Sequence, residues 1–262
     1  MNKGDPGITL RRVTVPEKGV ELRRFLLVAL AAIAVVAWGA SSALANHSWN
    51  GYHWARTANP FTLKLGDNVN SSWDSYLGTT SSDWSQSTVL DTTIVAGSAK
   101  NKNCRPTIGR VEVCNGSYGQ NGWLGLAQIW LQSGTKHIVQ GAVKVNDTYF
   151  AQPQYNYTTE KQHVMCQETG HTLGLDHQDT SGISLNTCMD YYFNTSNSDT
   201  LSTHPNKHDY DELAAIYQHL DSTTTVGAAA FSPFGSAVRT SKFVARLAGG
   251  AQLITYVTWA GF

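Results

Sequence analysis

A short run in the second half of the chain holds three side chains with the types and spacing to bind one metal ion. Gln167 and His171 are four positions apart, so on a helix they lie on one face, about one turn apart. Gly174 permits a sharp turn after such a helix, and this turn would bring His177 back towards His171. Three converging ligands and one open position are the arrangement of a catalytic zinc ion. Glu168 would take a proton from a water molecule that attacks a carbonyl group.

The complete motif resembles the signature of a known protease clan. QExxHxxGxxH, from Gln167 to His177, is similar to the HExxHxxGxxH of the metzincin zinc endopeptidases, and especially to their matrixin branch. The resemblance implies that Met189 forms a hydrophobic floor below the metal in a methionine turn. It also implies that Tyr191 approaches the metal and stabilises an oxyanion, and that Glu168 is the general base.

Position 167 departs from the signature, because the first histidine ligand of the family is Gln167 in this chain. An amide oxygen is neutral, as imidazole is, but the common zinc ligands are His, Cys and carboxylate. We therefore expect weaker metal binding. His163 lies eight positions before His171, about 12 Å along a helix axis, and Cys166 points to another side. The prediction is a Zn²⁺ site made of Gln167, His171 and His177, and a site with two protein ligands is the alternative.

The four cysteines are all located after residue 100, at Cys104, Cys114, Cys166 and Cys188. An even number in an exported chain indicates two disulfides with three possible pairings, and buried free thiols are the alternative. Because Cys104 and Cys114 flank a short stretch with a glycine turn, we expect them to pair. Cys166 and Cys188 would then join the helix to the methionine turn. No cysteine precedes Cys104, so we expect no thiol-based latency.

The amino-terminal segment has the pattern of a secretory signal. Basic residues precede an unbroken apolar run at 25–37, and Ala43-Leu44-Ala45 fits the small-residue cleavage pattern. We expect residues 1–45 to be removed and the mature protein to be extracellular, without stable membrane association. An uncleaved membrane anchor is the alternative, because residues 25–45 have about the length needed to span a bilayer.

Composition restricts the possible partners. The chain of 262 residues has zero formal net charge and only 15% charged residues, which argues against nucleic acid as a main partner. The resemblance implies a peptide or protein substrate, and we expect a monomer. The alternative function is a catalytically silent protein on a metzincin-like scaffold that binds extended peptides or partner proteins, for which the motivation is Gln167.

The elements that position the motif follow from local patterns. A capping-box pattern at Thr159 and Gln162 predicts a helix over about 159–173, and a second helix is predicted over about 209–220. Strands are predicted at 61–65, 89–95, 110–113, 124–131 and 137–145, with β-type alternation in 238–259. The predicted domains are a signal peptide at 1–45, a catalytic domain at 46–221, and a linker with a short β-rich extension at 222–262.

The resemblance implies an α/β (α+β) fold. Its parts would be a mixed twisted sheet, an active-site helix, the methionine turn and a carboxy-terminal helix. Residues 124–130 would be the edge strand that pairs with an extended substrate. Outside the motif, we expect packing or surface positions for His47 and His53. His204 and His208 are expected in solvent, with a second metal site as the alternative.

Overall fold

The computed structural model describes residues 47–99, 103–228, 242–246 and 252–259, together with Met1. The chain divides into two units, Met1–Ala43 and Leu44–Phe262, and all of the helices and strands described below belong to the second unit. Apart from Met1, the predicted signal peptide lies outside the described residues. None of the described helices has the length and apolar character that crossing a bilayer requires.

Four α-helices and eight strands make up the described part of the chain. The helices are α1 (Asp74–Trp84), α2 (Asp147–Phe150), α3 (Thr158–Thr172) and α4 (Lys207–Ile216), with a 3-10 turn at Leu201–Thr203 before α4. The strands are β1 (His53–Trp54), β2 (Phe61–Asn68), β3 (Leu90–Ala96), β4 (Val111–Gly116), β5 (Trp123–Leu131), β6 (His137–Asn146), β7 (Lys242–Arg246) and β8 (Gln252–Trp259).

The strands form one mixed sheet in the order β3-β2-β4-β6-β5-β8-β7, and β1 adds to β6 in parallel. The pairs among β2, β3, β4 and β6 are parallel, whereas β5 runs antiparallel to both β6 and β8. This mixed sheet, the helix that carries the motif, the methionine-containing segment and the helix after it confirm the predicted fold class. The prediction that 124–130 is an edge strand is wrong, because β8 pairs along it.

Helix α3 is buried over almost its entire length, including its polar residues. It packs against α1 on one side and across β5 and β6 on another. The approach to β5 is close at Gly125, where an added Cβ would lie 2.5 Å from Val164 and 2.6 Å from the Glu168 carboxylate. Since buried polar groups cost free energy unless they have partners, a polar helix at the centre of the fold indicates a site.

The amino terminus of α3 differs from the predicted capping box. The helix begins at Thr158 after Tyr157, whose side chain makes no capping hydrogen bond. Instead, the Thr158 backbone N–H donates to the Asn197 side chain at 2.7 Å, and the Thr159 hydroxyl donates to the Ser196 carbonyl at 2.8 Å. A distant loop therefore supplies the cap, which local sequence does not reveal.

The other helices show where local patterns are informative. The predicted second helix is confirmed as α4, but it begins earlier, because Asn206 and Asp209 form the capping box there. Helix α1 lies in the Ser/Thr-rich region for which only strands were predicted. Its few large apolar residues, Leu77 and Trp84, are buried, and the Trp84 indole donates to the Cys166 carbonyl of α3 at 3.2 Å.

Both expected disulfides are present. Cys104 pairs with Cys114, and Cys166 pairs with Cys188. All four cysteines are buried, with at most 1% of their surface exposed. The second disulfide joins the middle of α3 to the segment that contains Met189, as predicted.

Glu160 in the first turn of α3 should make stability depend on pH. Burial raises the pKa of Glu160 to about 8, although the Asn194 N–H that donates to its carboxylate opposes this. Unfolded Glu ionises near pH 4.5, so the folded state binds the extra proton between about pH 4.5 and 8, and stability falls as pH rises through this range. As pH rises through this range, we expect the free energy of unfolding of Glu160→Gln to increase relative to that of the wild type by up to about 1.4 kcal/mol per pH unit.

Denaturant unfolding at pH 5, 6, 7 and 8 measures this difference. Asp211→Asn is the matched control, because its half-exposed carboxylate pairs with Lys207 on the surface. The expected result is a widening gap between Glu160→Gln and the wild type, with no such trend for Asp211→Asn. Parallel pH profiles for all three proteins would contradict a buried, protonated Glu160.

Candidate metal centre

The amide of Gln167 is held in one orientation. Its Nε2 lies 2.6 Å from the Asp190 carbonyl oxygen and 3.4 Å from Nε2 of His163. A carbonyl only accepts hydrogen bonds, so the NH₂ end of the amide must face it. His163 Nδ1 contacts the Ser202 carbonyl at 2.7 Å, so the ring that faces the Gln167 amide is itself held by the backbone. The amide nitrogen thus faces the Asp190 carbonyl and His163, and an amide binds a cation through its oxygen.

His171 has its tautomer fixed by the same logic. Nδ1 lies 2.9 Å from the Leu175 carbonyl oxygen, so Nδ1 carries the proton and Nε2 carries the lone pair. A backbone carbonyl on the far nitrogen is the usual support of a metal-binding histidine. The His171 ring is fully buried, and its centroid lies 4.8 Å from that of His177 at an angle of 77°. The turn after α3 therefore brings these two imidazoles together, as predicted.

The segment that carries His177 is held from both sides. On one side, the amino-terminal segment forms a bridge between Ser48 and Leu175, and the His47 ring contacts the Asp176 carbonyl at 2.9 Å. On the other side, the Gln178 N–H donates to the Met189 carbonyl at 2.8 Å. The position of His177 thus depends on two chain segments that are distant in sequence.

Gly174 makes the turn between the two histidines possible. Its φ of +104° lies in the region that favours glycine. An added Cβ would also lie 2.2 Å from the Tyr52 carbonyl oxygen. The expected role of Gly174 therefore has two independent physical reasons, conformation and space.

The Met189 side chain lies against the inner face of α3. An added Cβ at Gly170, one residue before His171, would meet Met189 Sδ at 2.5 Å and the Trp84 ring at 2.7 Å. Met189 is fully buried, as are Cys188 and Asp190 beside it. This contact places Met189 below the helix at the level of His171, which is compatible with the floor that the resemblance implies.

Glu168 and Tyr191 are the two proposed catalytic groups of the motif region. Glu168 is fully buried, with its carboxylate at the α3–β5 contact near Gly125. The Tyr191 ring centroid lies 5.2 Å from that of His177. The phenol thus lies next to a histidine of the motif, and the carboxylate lies at the contact of α3 with β5.

The residues present fit a zinc ion by the chemistry of their donors. His171 has a carbonyl-fixed tautomer with the lone pair on Nε2, His177 lies next to it, and Gln167 has its amide nitrogen engaged elsewhere. Neutral imidazoles are common zinc ligands, and an amide oxygen adds no charge. The assignment of Gln167, His171 and His177 as ligands, and of Glu168 and Tyr191 as catalytic groups, stays a prediction.

Sequence reasoning missed the contacts of several histidines. His163, excluded as a ligand, orients Gln167 instead. His204 pairs with Asp83 at 2.6 Å. His47 stacks on His208, with ring centroids 4.9 Å apart, and its Nε2 lies 3.5 Å from Asp209. Burial lowers the pKa of His47 to about 4, so that its ring is neutral.

Among known proteins, the chain has a weak structural likeness to a zinc-protease. No family model matches the chain, and no curated protein matches it. Among solved structures, the chain is similar to High choriolytic enzyme 1, a hatching enzyme zinc-protease from Oryzias latipes (medaka fish). The sequence identity is 9% and the TM-score is 0.34, and the match covers 64% of this chain and 96% of that chain. A likeness this weak identifies neither the family nor the activity.

Proposed function

We propose that this protein is a zinc-dependent endopeptidase. The observation that supports the proposal is the grouping of Gln167, Glu168 and His171 on one buried helix, with the His177 ring 4.8 Å from that of His171. Zinc, when bound, supplies a Lewis acid that polarises a carbonyl group and makes a water molecule more acidic. Gln167, His171 and His177 would hold it.

The remaining groups of the chain handle protons and charge. Glu168 accepts the proton of the attacking water at its carboxylate and then donates it to the leaving amine. Tyr191 donates a hydrogen bond from its hydroxyl group to the oxyanion. The close packing of α3 on β5 at Gly125 limits the movement of the Glu168 side chain, which reduces the number of orientations that a general base must lose before reaction.

An extended substrate would pair with β5, and this edge is covered in the structure. Trp123–Leu131 pairs with Gln252–Trp259 along its length. The alternative function is capture of an extended peptide by a catalytically inactive protein. It needs the same edge of β5, which β8 already occupies. We infer that hydrolysis requires β8 to leave β5, so that the enzyme is latent while this contact persists.

The proposed location is extracellular. Two buried disulfides are typical of proteins that fold in an oxidising compartment. An extracellular location also agrees with the secretory pattern of residues 1–45. The substrates would then be peptides or proteins that the enzyme meets after export. An N-terminal membrane anchor remains the alternative location.

Substitution of Gln167 tests the ligand set. Gln167→Ala removes the amide oxygen and should raise the zinc concentration needed for half-maximal peptidase activity by about tenfold or more. Gln167→His supplies the ligand that zinc prefers and should lower this concentration below that of the wild type. Each protein is first stripped with a chelator and then titrated with zinc.

Gln162→Ala is the matched control for this titration. Gln162 is a buried glutamine of the same helix, but its amide donates to the Thr80 hydroxyl at 2.9 Å. Its replacement should leave the zinc requirement unchanged. If Gln167→Ala behaves as Gln162→Ala does, then Gln167 does not bind the metal. Full peptidase activity in chelator would refute the whole proposal.

A further inference from the structure

Three histidines and one carboxylate converge at a second place in the fold, away from the motif. His53 and His137 are register partners in the parallel β1–β6 pair, and His219 and Asp221 follow α4. Oδ1 of Asp221 lies 3.2 Å from Nε2 of His137 and 3.7 Å from Nε2 of both His53 and His219. Nε2 of His219 lies 3.2 Å from Nε2 of His53.

The ligand atoms of His53, His137 and Asp221 all lie within 4.8 Å of one another, as the ligands of one metal ion require. His219 contacts two of these three residues. Zinc–nitrogen and zinc–oxygen distances of about 2.0–2.1 Å imply ligand-to-ligand distances of about 3.3 Å. The observed values of 3.2 Å and 3.7 Å lie on either side of this figure. The longer contacts exceed the N–H···O range of about 2.7–3.2 Å, so hydrogen bonds do not account for the whole arrangement.

Neighbouring groups orient the ligand atoms of the cluster. His53 Nδ1 lies 2.7 Å from the Gly51 carbonyl oxygen, so Nδ1 carries the proton and Nε2 faces the cluster with its lone pair. Burial lowers the pKa of His53, which favours the neutral ring that metals bind. Oδ2 of Asp221 accepts from the Arg56 guanidinium at 2.8 Å, which leaves Oδ1 towards the imidazoles. A carbonyl or charged partner behind a ligand is typical of metal sites.

We propose that His53, His137, His219 and Asp221 bind a second, structural zinc ion. Four protein ligands close the coordination sphere, as structural zinc sites do. The His219 side chain is 48% exposed and that of His137 is 23% exposed, so an ion has access from solvent. Imidazole nitrogens with one carboxylate select a divalent transition ion over calcium or magnesium.

The site lies next to residues that support the helix of the first site. The Trp54 indole, adjacent to His53, donates to the Thr172 carbonyl at 2.9 Å, and the Tyr217 hydroxyl, two residues before His219, donates to the Leu173 carbonyl at 2.9 Å. These carbonyls lie at the carboxy-terminal end of α3. A zinc ion that joins β1, β6 and the segment after α4 would therefore stabilise the end of the helix that carries His171.

Metal analysis of the mature protein, with its carboxy-terminal residues retained, tests this site separately from the proposed peptidase centre. The protein is stripped with a chelator and dialysed against zinc, and bound zinc and Tm are measured for the wild type, His171→Ala, His219→Gln and the double variant. His204→Gln is the matched control, because His204 is equally exposed, at 46%, and pairs with Asp83.

We expect His171→Ala to retain one zinc ion per chain and the double variant to retain none. Zinc at a hundredfold excess over its Kd should raise the Tm of His171→Ala by on the order of 5–10 °C, and His219→Gln should remove this rise in that background. The control should bind as the wild type does, and the metal-free Tm of His219→Gln should equal that of the wild type, which shows that it folds.

The variants separate the two sites. The second site would be overturned if His171→Ala lost all of its zinc. It would also be overturned if the double variant bound as much zinc as His171→Ala and showed the same zinc-dependent rise in Tm. Zinc that is retained in His171→Ala, lost in His219→Gln and equal to one ion per chain in the wild type would support the second site while contradicting the proposed peptidase centre.

Discussion

Glu168→Gln should lower kcat/KM for peptide hydrolysis by about 10²–10⁴-fold, the usual contribution of a general acid–base group. Glutamine has nearly the same size as glutamate, so the close contact with Gly125 of β5 is kept. It cannot take a proton from water at neutral pH. The variant should therefore fold, retain its zinc and bind substrate, and lose only the proton transfer.

Glu160→Gln is the matched control for Glu168→Gln. Both residues are buried glutamates of α3, but Glu160 lies two turns earlier and accepts from the Asn194 backbone. Its replacement should change stability with pH and leave kcat/KM within a few fold of the wild type. Zinc content and Tm are measured on each protein. If hydrolysis persists in Glu168→Gln at the wild-type rate, Glu168 is not the base.

Locking β8 onto β5 should abolish activity, and releasing it should raise activity by about tenfold or more. A strand tethered to the same chain competes with substrate at an effective concentration in the millimolar range, so micromolar peptide rarely displaces it. Competition of this kind raises KM and leaves kcat unchanged. Ile254 of β8 is buried in the main core, and the Gln128 side chain donates to Thr255 at 3.2 Å.

The lock uses Gln128→Cys with Thr255→Cys, which are register partners in the antiparallel pair. Directly opposed residues have Cα separations of about 4.5–5.5 Å, within the range that a disulfide spans. Each single cysteine variant is a control, because it cannot close the bridge. Mild reduction should restore activity to the double variant, while the native disulfides, which are buried, resist the reductant.

A deletion of residues 252–262 provides the opposite change. It should lower KM at unchanged kcat, and a synthetic peptide of residues 252–259 should inhibit it, whereas a scrambled peptide should not. The oxidised double variant also tests whether substrate pairs with β5, and in this variant the β5 edge stays covered. Equal activity of the oxidised and reduced double variant would show that substrate does not use β5.

The sequence determined those features of this protein that depend on local spacing. The motif from Gln167 to His177 fixes which groups share a helical face, because residues four apart are neighbours on a helix regardless of the surroundings. Alternating apolar residues predicted most of the strands, and the even number of cysteines predicted the disulfides. Helix α1 was missed, because its Ser/Thr-rich sequence has a weak apolar pattern and is stabilised by packing of Leu77 and Trp84 against the core.

Only the tertiary structure decided which distant segments meet. The β1–β6 register places His53 beside His137, and the segment after α4 adds His219 and Asp221. The pairing of β8 with β5 covers the edge that the sequence left open. Such contacts join residues more than eighty positions apart, and their free energy comes from burial and pairing between segments. Periodicity within one segment carries no information about its partner.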